Sequence, residues 1–169
     1  MGRWRPPPKA SSPYISAQGA KSLRAELKVL WSTERPGVVQ ALSAAAAEGD
    51  RSENAEYIYR KKQLAGIDRR IRYLNKRLAN IQVVDRPPSD VNQIRFGAEV
   101  QLEDTAGVEL TVRIVGADEI DAARSWISID SPLARGVLGK SVDDEVRITT
   151  PDGEKEWFIL AVSYPTDLY

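Results

Sequence analysis

The chain has 169 residues with 24 Lys+Arg, 24 Asp+Glu, no Cys and no His, a length that holds one ordinary domain or two small ones. Lacking Cys and His, it has no disulfides, thiol nucleophiles, Ser-His or Cys-His triads, or usual zinc ligand sets, so any chemistry rests on carboxylates, lysines, hydroxyls or a borrowed metal. The zero net charge hides a split: residues 1–84 carry 16 basic against 7 acidic side chains, and residues 85–169 carry 8 against 17, which suits a partner presenting negative potential to one half.

The first fifteen residues, with Pro6, Pro7 and Pro8 among Arg, Lys and Ser, have too little apolar surface to fold and read as a flexible basic arm. They lack the apolar stretch of an export signal, and no run approaches the roughly eighteen apolar residues of a membrane span. The expected location is the cytoplasm. From Ser16, a suitable N-cap, the pattern turns helical, with Leu23, Leu27 and Leu30 and then Val38, Ala41 and Ala45 on one side. Pro36 falls inside this run, lacks an N–H, and predicts a kink or short interruption near Glu34 and Arg35.

Gly49 marks a stop, and a second helix follows with Tyr57, Leu64, Ile67, Ile71, Leu74, Leu78 and Ile81 on one face. From Leu64 onward the spacing alternates between three and four, the a/d seam of a coiled coil. So short a link predicts an antiparallel hairpin spanning residues 16–84, whose second helix of about 28 residues would be roughly 40 Å long. The stretch "EGDRSENAEY" (48–57) then lies at its tip.

After a proline-bearing linker (85–95), short β-branched runs separated by turn signals predict a second, antiparallel domain over 96–165. "AEVQLED", "VELTVRIVG", "SWISID", "DEVRITT" and "EKEWFILAVSY" read as strands, "TAG" and "PDG" as hairpin turns, and "PLARGVLG" as a short helix or loop. Trp126, Trp157, Phe158 and Ile159 are its candidate core. The whole reads as α+β: a helical hairpin plus a small sheet carrying one short helix.

Two readings of the tip acids stand side by side. Asp50 and Glu53 have the spacing of a capping box, with Glu56 and Arg60 as an i,i+4 ion pair. The same two carboxylates, displayed together, could complete a Mg²⁺ site whose other ligands come from a partner, because Mg²⁺ takes one or two protein carboxylates and fills its remaining positions with phosphate and water. Behind them, Lys62, Arg69 and Lys76 share the outer face of the second helix, with Arg70 and Arg77 beside them. This stripe is either a solvated face or an electrostatic contact to a nucleic-acid backbone or an acidic wall.

The blocks "ELKVLWSTERP" (26–36), "GDRSENAEYIYRKKQLAGIDRRIRYLNKRLAN" (49–80), "FGAEVQL" (96–102), "RIVGADEI" (113–120), "ISIDSPLARGVLGK" (127–140) and "ITTPDGE" (148–154) resemble the bacterial GreA/GreB transcript cleavage factors over about residues 14–164. The Arg-rich second helix is most similar to the GreB branch. The resemblance implies a coiled coil inserted into the secondary channel of a backtracked RNA polymerase, where it stimulates the polymerase's own cleavage of the nascent RNA 3′ end.

It also implies roles for individual residues. Asp50 and Glu53, with Glu56 as their neighbour, would help hold the polymerase's second Mg²⁺ and the attacking water, with no metal bound tightly by this chain alone. Arg69, Arg70, Arg72, Lys76 and Arg77 match the region that contacts the RNA 3′ segment. By the same resemblance the C-terminal domain is FKBP-like, and Asp130, Ser131 and Pro132 lie near its docking contact with the largest-subunit coiled coil; without the resemblance, "DSP" reads as an ordinary turn. The chain would be a monomer and not itself an enzyme. Two departures are the basic N-terminal extension and Glu56, which stands where Asp is common. A prolyl isomerase is disfavoured because the domain's few aromatics lie mostly in strands, and a channel binder that regulates without cleavage is the main alternative.

Overall fold

A computed structural model describes residues 10–47, 54–150 and 153–169. The chain divides into two compact units, Ala20–Ile81 and a second made of Met1–Gly19 with Gln82–Tyr169. Among the described residues no helix is long and apolar enough to cross a membrane.

The helical unit is built from α1 (Ala17–Val29), α2 (Arg35–Ala47) and α3 (Ala55–Leu78). The expected seam is present: Leu23, Leu30, Val38 and Ala45 on one side and Ile67, Ile71 and Leu74 on the other are all buried. α3 spans 24 residues, shorter than the periodicity predicted because the chain leaves the helix after Leu78. The irregularity expected from Pro36 appears one turn earlier, as a π-helical turn over Leu30–Glu34 in which the Arg35 N–H reaches the Leu30 carbonyl. Pro36 has no N–H with which to continue the normal ladder, and the wider turn absorbs the defect.

The second unit holds a five-stranded sheet in the order β5-β4-β3-β7-β6, formed by β3 (Glu99–Asp104), β4 (Glu109–Val115), β5 (Trp126–Ser128), β6 (Glu145–Thr150) and β7 (Gly153–Ser163). One short helix, α4 (Pro132–Val137), packs against it. Alternation along the strands puts Val100, Leu102, Val112, Ile114, Val146, Ile148 and Ile159 on one buried face with Ala134 and Val137 of α4. Of the candidate core residues, Trp157 and Ile159 are buried. Phe158 and Trp126 are half-buried, and the Trp126 ring lies beside the Arg113 and Arg124 guanidinium groups.

The turn chemistry is as the sequence predicts at Thr105–Val108, where Asp104 Oδ1 accepts from the Ala106 and Val108 amides and Gly107 adopts φ +78. Pro151 and Asp152 of the second expected turn lie outside the described residues.

Three expectations are corrected. The sheet is mixed rather than antiparallel, since β5 runs parallel to β4. The intervening segment, turned by a short 3₁₀ helix capped by Asp121, is long enough to return the chain to the end of the sheet from which β4 starts. Tyr14 and Ile15 do not belong to a free arm, and Ser16 opens the hairpin from within a strand. They form β1 (Tyr14–Ser16), paired in parallel with β2 (Gln82–Val84), so both ends of the expected hairpin segment join the unit that contains the sheet. Ile15 and Ser16 are fully buried there.

Ser16 is the N-cap expected of it, its Oγ accepting from the Gly19 amide at 2.9 Å. Glu119 secures the same point by accepting from the Ser16 hydroxyl, from the Ser16 amide at 3.1 Å and from the Gly116 amide at 3.0 Å. Among the described residues, Arg113 is the other buried polar residue of this unit. It donates to Asp167 at 2.5 Å and to the Pro165 carbonyl at 2.6 Å, and thereby holds the C-terminal segment against β4.

Candidate functional site

The start of α3 determines what the tip acids are available to do. Its N-cap is Asn54, in an extended conformation at φ −83 and ψ 99, with Oδ1 accepting from the Tyr57 amide at 3.0 Å. The Asn54 Nδ2 donates to the Ala45 carbonyl at 2.8 Å. A single amide thus caps one helix and ties it to the end of the other. The capping-box reading is corrected, because the position it gave to Asp50 is filled by Asn54. Asp50 and Glu53 themselves lie outside the described residues.

With Asp50 and Glu53 as a capping box, Asn54 would be solvated surface; it is instead the cap of α3. Its signal was there, since Asn is among the best N-cap residues and directly precedes an uninterrupted helical stretch.

Glu56 lies in the first turn of α3, where a negative charge complements the helix dipole. It accepts from Arg60 Nε at 2.7 Å, and Arg60 also donates to Gln63 at 3.1 Å and lies over the Tyr59 ring. The expected i,i+4 pair is therefore formed. Among the described residues no cluster of three or more metal-ligating side chains is present.

Lys62, Arg69, Arg72 and Lys76 are exposed along α3, and Arg77 is half-buried. Arg70 is engaged within the hairpin: its Nε and NH2 groups donate to Glu26 at 2.6 and 2.8 Å, and its guanidinium lies over the Tyr73 ring. The Arg70 bonds hold the Glu26 carboxyl below the usual carboxylate range against a smaller opposing effect of burial. Arg35 makes a similar tie to Asp68 at 2.9 Å.

In the other unit, Ser131 is the N-cap of α4 and accepts from the Ala134 amide at 3.1 Å, with Pro132 in the first turn. Asp130 accepts from the Ser12 amide at 2.8 Å and lies 3.4 Å from Arg135. The "DSP" segment is thus a capped helix start. Nearby is a cavity of about 460 Å³ lined by Tyr14, Val84, Phe96, Ile129 and Leu138, with Arg86 and Arg95 also contributing. Two of its lining side chains are aromatic, Phe96 and Tyr14, the latter from β1 outside the expected domain boundary.

Residues 13–83 match the family model "Transcription elongation factor, N-terminal", and residues 88–164 match "Transcription elongation factor, GreA/GreB, C-term". Among curated relatives, the transcription elongation factor GreB of Xanthomonas axonopodis pv. citri is 58% identical over 97% of this chain and 98% of its own length. GreB of Pseudomonas aeruginosa is 56% identical over 98% of each chain. GreB of Pasteurella multocida is 57% identical over 85% of this chain and 91% of its own.

Proposed function

Because the chain belongs to the GreA/GreB family of transcription elongation factors, we propose that it inserts its helical hairpin into the secondary channel of RNA polymerase and stimulates cleavage of the nascent RNA 3′ end in backtracked complexes. The observation that carries this reading is the double role of Asn54. With α3 capped and tied to α2 by that side chain, the start of the helix does not call on Asp50 or Glu53, which this reading assigns to a partner's metal.

In this reading the two carboxylates supply hard oxygen donors, a set that fits Mg²⁺ and is too small to hold it tightly without further ligands. The ion belongs to the polymerase and supplies the Lewis acidity that makes a bound water a stronger nucleophile. Asp50 and Glu53 orient and balance charge there, while Glu56, drawn back by Arg60, adds negative potential from one turn away. Arg69, Arg72, Lys76 and Arg77 face the RNA 3′ segment, with Arg70 bracing the hairpin through Glu26. Asp130, Ser131 and Pro132 form part of the docking surface for the largest-subunit coiled coil. The factor works as a monomer in the cytoplasm, and the polymerase provides the catalytic centre.

The test uses a stalled, backtracked elongation complex with 3′-labelled RNA. Wild-type protein should release short 3′ fragments in Mg²⁺, and Asp50→Asn should nearly abolish release while still binding polymerase. A wild-type protein that binds and releases nothing would replace this reading with that of a channel regulator without cleavage activity.

A further inference from the structure

A second cationic face runs along the first helix. Lys21, Arg24, Lys28, Trp31 and Arg35 follow one another at spacings of three, four, three and four, a stripe on one side of a helix. Lys21, Arg24 and Lys28 are exposed, and none of them has an acidic partner among the described residues. Two acids of the same unit, Glu26 and Asp68, are already neutralised by Arg70 and Arg35. Lys21, Arg24 and Lys28 therefore keep their positive charge, while Arg35 is paired with Asp68.

Trp31 lies within it, 61% exposed, so core packing does not account for an indole at this position. It forms one wall of an open groove of about 420 Å³ whose other walls are Arg24, Leu27 and Lys28 on α1 and Asn75 on α3. The Arg35 guanidinium sits 5.7 Å from the indole centroid and is held there by its ion pair with Asp68, which limits the ring's freedom. Trp31 also belongs to the π-helical turn, a type of irregularity frequent at functional sites.

We propose that this groove binds one nucleotide of single-stranded RNA, with the base stacked on Trp31. An aromatic platform flanked by unpaired cations is the chemistry that recognises a single strand, because every base has a π-face and every linkage a negative charge. Arg24 and Lys28 take the adjacent phosphates. Asn75 offers a donor and an acceptor to the base edge. Its cations are on α1 and its indole in the π-helical turn, whereas the basic stripe is on α3, and the site rests on the elongation-factor reading only for the source of the RNA.

The experiment measures binding of the full-length protein to a fluorescein-labelled single-stranded oligoribonucleotide by anisotropy over a salt series, together with tryptophan quenching. Wild type should bind with quenching. Trp31→Ala should weaken binding by about tenfold or more and remove most of the quenching, while Trp31→Phe should restore most of the affinity because a stacking face returns. The double change Arg24→Gln with Lys28→Gln should lower the slope of log affinity against log salt by about 1.4, two contacts at roughly 0.7 each.

Trp31 is exposed, so its replacement should leave the urea unfolding midpoint unchanged, and this is checked in parallel. Equal binding by wild type and Trp31→Ala would overturn the proposal, as would equal competition by duplex RNA or by polyglutamate. None of these measurements contains polymerase, so their failure is separate from failure of the cleavage assay.

Discussion

Asn54 and Ala45 are joined by a 2.8 Å hydrogen bond from the Asn54 side-chain amide to the Ala45 carbonyl, while the oxygen of the same amide caps α3 at the Tyr57 N–H. Asn54→Ala removes both contacts and should cost about 1–3 kcal/mol in urea unfolding. Asn54→Asp keeps the cap acceptor but cannot donate to Ala45, so it should cost about 0.5–1.5 kcal/mol. Equal losses in the two variants would show that the cap contributes nothing.

Glu26 and Arg70 form a two-pronged surface pair. The folded-state pKa of Glu26 is lowered, chiefly by its hydrogen bonds to Arg70. The pair therefore stabilises the fold above the unfolded carboxylate pKa, about 4.3, and loses that contribution as pH falls through the lower folded value. Both side chains are substantially exposed, so Glu26→Gln should cost no more than about 1 kcal/mol at pH 7. The difference from wild type should vanish in unfolding curves taken well below pH 4.3; a constant difference across the pH range would refute the assignment.

Arg113 is buried beneath the C-terminal segment and donates to both Asp167 and the Pro165 carbonyl. Asp167→Ala leaves that guanidinium without its carboxylate and should cost about 1.5–3 kcal/mol. The amides of 166–169 should then exchange with solvent faster than they do in the wild type. Unchanged exchange would mean that Leu168, which is itself buried, holds the segment unaided.

Glu119 receives the Ser16 hydroxyl and the amides of Ser16 and Gly116. Glu119→Gln removes one acceptor and the charge, and should cost about 1–3 kcal/mol. Gly19→Ala is a second probe, because a Cβ there would meet the Glu119 carboxylate and should destabilise wild type more than it destabilises Glu119→Ala. Equal effects in the two backgrounds would refute this packing.

The seam residues Ile67, Ile71 and Leu74, the alternating strands and the Pro36 irregularity were legible in the sequence because each is encoded by local periodicity or by a single residue's covalent geometry. The direction of β5 was not, since strand alternation is the same whether a neighbour runs parallel or antiparallel. The boundary of the helical segment was missed for a related reason. Three-residue β1 and β2 are too short to show a period, and their pairing joins positions far apart in the chain.

At the candidate site the division is similar. Sequence alone determined which residue types gather at the tip, along α3 and before α4, because composition and spacing are properties of the chain. Only the tertiary structure decided which of them are already occupied: Asn54 rather than Asp50 caps α3, Arg70 is held by Glu26, and Ser131 is turned inward as a cap. It also brought Trp31 and Asn75 to one groove. Hydrogen-bond partners and neighbours across a helix seam are set by the folding back of distant segments, which no local pattern records.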